Sequence, residues 1–356
     1  MDSKPLLRSL VPDSVAALVA ADGLAGYRAD QLNDWLFARG VFTWDEMTNL
    51  PGAMRMNLAT RFDLTGLEDA ERQVSADGTR KFLFRLRDGA TVESVIIPMG
   101  EHATFCISTQ VGCAMACRFC ATARGGLVRN LASGEIIEQV LRLRRDLAAD
   151  PIVRLGDRGF NVVFMGMGEP LDNWDAVVES LDCMMDPKGL AMSRRRIQIS
   201  TSGPAEGLKK MIAAEPGVGL TISLGGSTDA ERKAVMPVPG RTSLGEVLDL
   251  AVQYVRGSGR RATVAWVLIA GQTDQPEQAV RLARLLRGKP LKVNLIPRNP
   301  LDDAKLAPPG DHDIQAFREH RVHRGRVLRL PRQNGGEHVG QALARKRPLP
   351  GGHLVE

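Results

Sequence analysis

Cys113, Cys117 and Cys120 fall within eight residues, spaced C-x3-C-x2-C, with Phe119 directly before the last of them. That spacing puts three thiolates on one short loop, and thiolates are soft ligands that select zinc or iron–sulfur clusters. A closed zinc site or an ordinary cluster takes four protein ligands. Here the fourth is missing locally, since the next cysteine downstream is Cys183. The octet therefore predicts a [4Fe–4S] cube held at three corners, its remaining iron open to a substrate or cofactor. A trio of structural or zinc-binding cysteines is the competing reading.

An open iron that chelates the amino and carboxylate groups of S-adenosylmethionine (SAM) is the arrangement of radical SAM enzymes. One electron then breaks the sulfonium bond homolytically and leaves a 5′-deoxyadenosyl radical. A loop of this kind needs a rigid rim, and the chain between 101 and 310 offers one. Strands are expected at Thr104–Ser108, Asn161–Met165, Arg196–Ser200, Gly219–Ser223, Ala262–Leu268 and Leu291–Ile296, with helices between them. Ser133 is expected to cap a helix with the stripe Ile136, Val140, Leu143 and Leu147, while Thr228/Glu231 and Ser243/Glu246 read as capping boxes. Six such alternations imply an α/β fold, a partial (β/α)6 barrel. The cysteine loop, Gly166-Met167-Gly168-Glu169-Pro170, Ser200-Thr201-Ser202-Gly203, Ser223-Leu224-Gly225-Gly226 and Asn294 all fall at or just past strand C-termini. In barrels that rim is the active face.

Ahead of the barrel, Val15, Leu18, Val19 and Leu24 form one helical apolar set, and Tyr27–Leu36 forms a second that Gly40 stops. A further helix ends near Arg61. Arg80–Leu86 and Thr91–Pro98 flank Arg87-Asp88-Gly89 and read as a hairpin. The expected division is a helical accessory module at 1–68, a β-hairpin bridge at 69–100, the partial barrel at 101–310 and a basic, partly irregular extension at 311–356. In that extension Asp311–Arg321 reads as a helix and Arg326–Leu330 as a strand.

Composition sets bounds. The chain has 356 residues, 44% hydrophobic and 25% charged, which suits an ordinary soluble globular protein. Five cysteines, three in one octet, exclude a secreted disulfide scaffold, and the start Met1-Asp2-Ser3-Lys4-Pro5 reads as no signal peptide. No apolar run reaches transmembrane length. A reducing cytoplasm is the expected compartment. The net charge of +6 leans towards an anionic partner. Arg28, Arg39, Arg55 and Arg61, the run Arg194-Arg195-Arg196, and the arginines from Arg318 to Arg332 offer either phosphate contacts or a solvated face.

Taken together, the motifs resemble the RlmN/Cfr family of radical SAM adenosine methyltransferases. The resemblance runs from about Tyr27 to Asn299. It rests on Tyr27-Arg28-Ala29-Asp30-Gln31, Cys106-Ile107-Ser108-Thr109-Gln110-Val111-Gly112-Cys113, Arg129-Asn130-Leu131, Met165–Pro170, Ser200–Gly203 and Asn294-Leu295-Ile296-Pro297. It implies methylation of an adenine of 23S rRNA, at C2 by family default, and of a tRNA adenine. It implies a monomer that uses a [4Fe–4S] cluster, SAM and an electron donor such as flavodoxin. Cys113, Cys117 and Cys120 would hold the cluster. Gly168 would let backbone approach SAM, and Glu169, Ser200, Ser223, Gly225 and Asn294 would line its site. Glu93 matches the family's proton acceptor and Cys106 its upstream catalytic cysteine.

Two positions depart from the pattern. The family's methyl-carrying cysteine, in Cys-Gly-Gln, is absent: that place reads His338-Val339-Gly340-Gln341-Ala342, and no cysteine follows Cys183. Valine cannot carry a transferable methyl thioether. The family's Ser-Leu-His is here Ser223-Leu224-Gly225. On the missing thiol, three alternatives to straightforward methylation stay open: a radical SAM paralogue with another reaction or substrate, a tail altered by a shift of frame, or an RNA-binding relative that transfers no methyl. Cys183, beside Met184 and Met185, reads as a buried filler rather than a substitute.

Overall fold

The computed structural model describes residues 4–152, 159–238, 241–298 and 307–319. The chain opens with three helices, α1 (Pro12–Ala21), α2 (Tyr27–Asn33) and α3 (Gly52–Arg61). An antiparallel run follows, β1 (Leu67–Val74), β2 (Arg80–Leu86), β3 (Thr91–Pro98) and β4 (Ala103–Cys106). A small hairpin, β5 (Gln110–Gly112) with β6 (Leu127–Asn130), brackets the cysteine loop and leads into α4 (Ser133–Ala149). Then β7 (Phe160–Phe164), α5 (Trp174–Met185), β8 (Ile197–Thr201), α6 (Ala205–Ala214) and β9 (Gly219–Ser223) alternate. They are followed by α7 (Asp229–Val235), α8 (Leu244–Ser258), β10 (Ala262–Leu268), α9 (Pro276–Leu285), β11 (Leu291–Pro297) and α10 (Asp311–Glu319).

One nine-stranded sheet runs β1-β2-β3-β4-β7-β8-β9-β10-β11. From β4 to β11 every neighbouring pair is parallel, giving the six expected β/α strands, and β1 to β3 extend the β4 edge antiparallel. β1 was not expected. Its sequence LEDAERQV buries only Leu67, so it carries no alternation to read. Charged residues on an edge strand discourage further strand pairing.

Alternation decides which face of the sheet meets the helices. Phe105, Val162, Ile199, Leu220, Val264 and Leu295 belong to the main apolar core, as do Ile136, Val140, Leu143 and Leu147 of α4. Leu7, Val15, Leu32, Leu36 and Phe37 of the N-terminal segment sit in that same core. At about 1.5–3 kcal/mol per buried side chain, those five alone contribute on the order of 10 kcal/mol, enough to hold the helices against the barrel. Ser133 is not the cap of α4 but its first residue. The N-cap is Ala132, whose backbone N–H donates to Glu135 at 2.9 Å.

Fully buried Arg8 donates to the carbonyls of Leu64 (2.5 Å) and Val41, and Phe42 is ringed by Arg8, Arg142 and Arg145 at 4.8–5.2 Å. Burial lowers the Arg8 pKa to about 10, with Glu138 opposing the shift. Arg28, Arg39, Arg55 and Arg61 are already engaged, with Gln31, Asp34, Asp45 and Asp22 respectively. α10 packs Phe317 on Trp266, ring centroids 5.8 Å apart. The strand expected at Arg326–Leu330, Val339 and the arginines from Arg321 to Arg332 lie outside the described residues. No helix among the described residues is long and apolar enough to cross a membrane.

Candidate active site

The cysteine loop is pinned at both ends. Gly112 sits at φ +75° with its α-carbon so close to the Gly126 carbonyl that a Cβ would lie 1.9 Å from that oxygen, and Cys113 N donates to the same carbonyl at 2.7 Å. Farther along, Arg118 N donates to Val235 O at 3.0 Å and ties the loop to the end of α7. Ala116 takes a left-handed φ of +53°, which a non-glycine residue adopts at a cost when the surrounding fold enforces it. Cys113, Met115 and Cys117 share an apolar nest with Val235, Met236 and Ile269, and Phe119 and Cys120 pack onto it.

Burial pushes the Cys113 thiol up to about 11, and Cys117 higher still, with Cys120 and Cys113 adding to the rise at Cys117. Buried thiols crowded on one loop suit a multivalent cation between them, and loading it releases their protons. Among the described residues no three thiol, imidazole or carboxylate groups close around a single ion. A cube takes each thiolate on a different iron, so its ligands stand wider apart than those of one ion. Cys183 is elsewhere, buried on α5 with its thiol 3.9 Å from Leu10 O.

Beside the cysteine loop lies the segment after β7. Gly168, at φ +99°, clears space for Gln110: a Cβ there would stand 2.6 Å from the Gln110 Cβ and 2.7 Å from its nitrogen. Gly166 presses equally close to Ile107 and Ser108. A glycine at 168 is thus required by the nesting of two loops of the same chain. Glu169 is buried and accepts four hydrogen bonds: Leu171 N (3.1 Å) and Thr201 Oγ1 (2.7 Å) on one oxygen, Ser202 N and Oγ (both 2.7 Å) on the other. Four is the full complement of an ionised carboxylate. Burial pushes its pKa up against the pull of those donors. In this structure Glu169 ties the end of β7 to the end of β8, with no acceptor position left over.

Register places most of the remaining residues. Cys106 pairs with Val95 and Val163, Val163 with Gln198, Ser200 with Thr221, and Ala265 with both Ser223 and Asn294. Since paired residues and residues two apart share a face, Glu93, Cys106, Ser200, Ser223 and Asn294 all project from the face opposite the main core. Ser200, Ser223 and Asn294 are half-buried, and their side chains have no partner among the described residues. Cys106 is fully buried in a separate apolar cluster with Val95, Ile97 and Val163, its thiol raised by burial to about 12, with Glu93 adding to the rise. Glu93 is ion-paired with Lys81 at 2.7 Å. Gly225 is placed by sterics: a Cβ there would stand 2.4 Å from Met236 Sδ, so the imidazole of the Ser-Leu-His pattern is excluded unless Met236 moves.

Other residues hold this arrangement and were not singled out in the sequence. Gln139 of α4 accepts from Ser94 Oγ (2.7 Å) and Ser108 N (2.8 Å) and donates to Ser108 O (3.0 Å). Gln110 Oε1 accepts from Glu169 N at 2.8 Å. Arg232, fully buried, donates to Ser202 O (2.6 Å), Ser223 O (2.8 Å) and Leu224 O (2.7 Å) and so braces the ends of β8 and β9. Burial lowers its pKa to about 10, and Cys117 is the foremost group raising it, so a cation stands near the cysteine loop. Each of these is an isolated polar residue in sequence whose partners are remote.

Similarity to known proteins coincides with these features. Residues 107–283 match the radical SAM superfamily, and residues 7–64 match the ribosomal RNA large subunit methyltransferase N-terminal domain. The dual-specificity RNA methyltransferase RlmN of Anaeromyxobacter dehalogenans is 42% identical over 96% of this chain and 91% of its own length. A probable dual-specificity RNA methyltransferase RlmN of Gemmatimonas aurantiaca is 42% identical over 97% of this chain and 96% of its own length. The crystal structure of a radical SAM methyltransferase from Sphaerobacter thermophilus superposes with a TM-score of 0.86 at 36% identity, covering 92% of this chain and 96% of that one. The chain therefore belongs to the RlmN family of radical SAM methyltransferases, enzymes that use a [4Fe–4S] cluster and SAM.

Proposed function

We propose that the chain methylates an adenine of RNA, at C2 in 23S rRNA and in tRNA, as a cytoplasmic monomer supplied with electrons by a flavodoxin-like donor. The observation that carries this reading is the single rim shared by the cysteine loop, Glu169 and the half-buried Ser200, Ser223 and Asn294, whose side chains have no partner among the described residues. Cys113, Cys117 and Cys120 would hold the cluster. A cluster held there would supply the electron needed for reductive cleavage of the SAM sulfonium bond. Ser200, Ser223 and Asn294 offer hydroxyls and an amide to the polar groups of SAM. Gly168 and Glu169 fix the loop beside it, and Gly225 leaves Met236 in place behind the cysteines. Lys81 holds the Glu93 carboxylate at 2.7 Å on the sheet face that also carries Cys106. The Cys106 thiol lies on the same sheet face as Glu93, and burial raises it to about 12, which keeps it protonated.

A second reading is favoured by one observation, Val339 at the place of the methyl-carrying cysteine. In that reading the chain cleaves SAM and binds RNA but transfers no methyl group until a thiol is restored. Incubation of reduced, reconstituted protein with SAM and unmethylated RNA, followed by nucleoside mass spectrometry, separates the two. Methyladenosine formed by the unaltered chain supports the first and shows that no C-terminal thiol is needed. Methyladenosine formed only by Val339→Cys or Ala342→Cys supports the second, with a competent site that lacks its carrier. Neither product, alongside normal 5′-deoxyadenosine release, would overturn the assignment of RNA as substrate.

A further inference from the structure

Positive charges are used very differently at the two ends of the sheet. Around the N-terminal helices and β1 to β3, arginines are consumed by carboxylates: Arg72 and Arg80 by Asp146 and Asp150, and Arg129 by Asp88 and Glu135. The strand-start ends of β8 to β11, on the side opposite the cysteine loop, reverse this. Arg194 and Arg195 precede β8, Arg260 and Arg261 precede β10, Arg256 lies in the last turn of α8, and Arg287 follows α9 just ahead of β11. Gln198 pairs with Gly219, and Ala262 with both Leu220 and Leu291, so these arginines enter the sheet at one level. Neighbouring strands stand about 4.8 Å apart. Burial raises the Tyr254 hydroxyl to about 12, and the charges of Arg260 and Arg194 oppose the rise.

Arg194, Arg195, Arg256, Arg261 and Arg287 are exposed, and none forms an ion pair with a described carboxylate. Arg256 and Arg287 line a cleft of about 800 Å³ together with Tyr254, Lys289, Glu215 and Asp249, and Asp249 is taken by Lys289 at 3.3 Å. Unpaired like charges gathered on one face repel one another unless a polyanion covers them. The exposed large apolar side chains among the described residues are Tyr27, Met56, Val74, Met99, Leu127 and Val128, all outside the β8–β11 part of the chain. Tyr254 is buried with its hydroxyl on Val218 O, so the face has no wedge to insert into lipid and no exposed ring on which to stack a base. What it offers is a set of contacts to backbone phosphates, which position RNA without reading its sequence.

We propose that the strand-start end of the barrel is a second RNA-contact face that grips the phosphate backbone at a distance from the target adenine. The proposal rests on the reading of RNA as substrate. The seven residues of β10 separate this face from the rim by roughly 23 Å at 3.3 Å per residue. A short stem-loop seated at the rim stays clear of it, whereas a longer RNA can wrap to reach it.

The test compares reconstituted wild type with the combined Arg194→Ala, Arg195→Ala, Arg256→Ala and Arg261→Ala variant. Both are bound, across a range of salt, to a 23S rRNA fragment several hundred nucleotides long and to an anticodon stem-loop. The variant is expected to bind the long RNA at least about tenfold more weakly, with a log affinity against log salt slope shallower by about 3 for four lost phosphate contacts. Stem-loop affinity and RNA-independent SAM cleavage should be unchanged, and lysine at the same four positions should restore the slope. An unchanged long-RNA affinity, or equal losses for both RNAs, overturns the proposal. So does capture by phosphatidylserine vesicles that the variant loses while its RNA binding is intact. Wild type that binds neither RNA would overturn the RNA reading itself, a failure visible before any variant is made.

Discussion

Alanine at Cys113, Cys117 or Cys120 is expected to remove iron from the reconstituted protein altogether, from about four irons per chain to none. A cube with three protein ligands already has one open iron, and losing another thiolate leaves half its corners without a protein bond. The surrounding nest of Met115, Val235, Met236 and Ile269 is apolar and supplies no replacement ligand. Cys183→Ala and Cys106→Ala are the controls. Cys183 lies in the main core and Cys106 in a separate apolar cluster, so both variants should keep their iron and the absorbance that goes with it. Iron and sulfide analysis after anaerobic desalting gives the answer. Loss of iron from Cys183→Ala, or its retention in Cys117→Ala, would mean that the ligand set has been misassigned.

The second large effect is expected at Glu169. Replacing it with alanine strands four donors in a buried place, at about 1–3 kcal/mol for each that stays unsatisfied. Even with partial relaxation the loss comes to about 4 kcal/mol, and Tm should fall by roughly 5–10 °C. Glutamine is no remedy, because its NH2 would face donors that now meet an oxygen. The loop and the end of β8 should separate, and SAM affinity should fall with them, by about a hundredfold if some 2.7 kcal/mol of that strain reaches the site. Ser200→Ala makes the contrast. Its hydroxyl has no partner among the described residues, so Tm should hold while SAM affinity drops. Calorimetric melting with equilibrium dialysis of SAM reads both quantities. Equal Tm and equal SAM affinity in wild type and Glu169→Ala would show that the four hydrogen bonds hold nothing that matters.

The regular part of this structure was readable from sequence because its signal is local. Gly219–Ser223 and Ala262–Leu268 have the expected bounds, as do Arg80–Leu86 and Thr91–Pro98 around Gly89, whose φ of +84° the turn requires. The cysteines advertise themselves by crowding. Other features carry no such mark. β1 is polar because it is an edge, and β5 and β6 are three and four residues long, held by a glycine–glycine contact that no periodicity reveals. Gly168 was legible as a place of close backbone approach and Gly225 only as a departure from Ser-Leu-His, while the neighbours that crowd them, Gln110 and Met236, lie at a distance in sequence. Arg232 and Gln139 were invisible for the same cause. A buried polar residue looks like a surface one until its partners, here three carbonyls or Ser94 and Ser108, are brought to it by the fold.

The direct test of the central claim, that three thiolates at the strand-end rim hold a cluster that cleaves SAM, is product analysis without any RNA. Anaerobically reconstituted chain is mixed with dithionite and SAM, and 5′-deoxyadenosine and methionine are quantified by mass spectrometry. Wild type should release both slowly and in equal amounts, and Cys117→Ala neither. Intact SAM, together with stoichiometric zinc and no iron in the purified wild type, would contradict it.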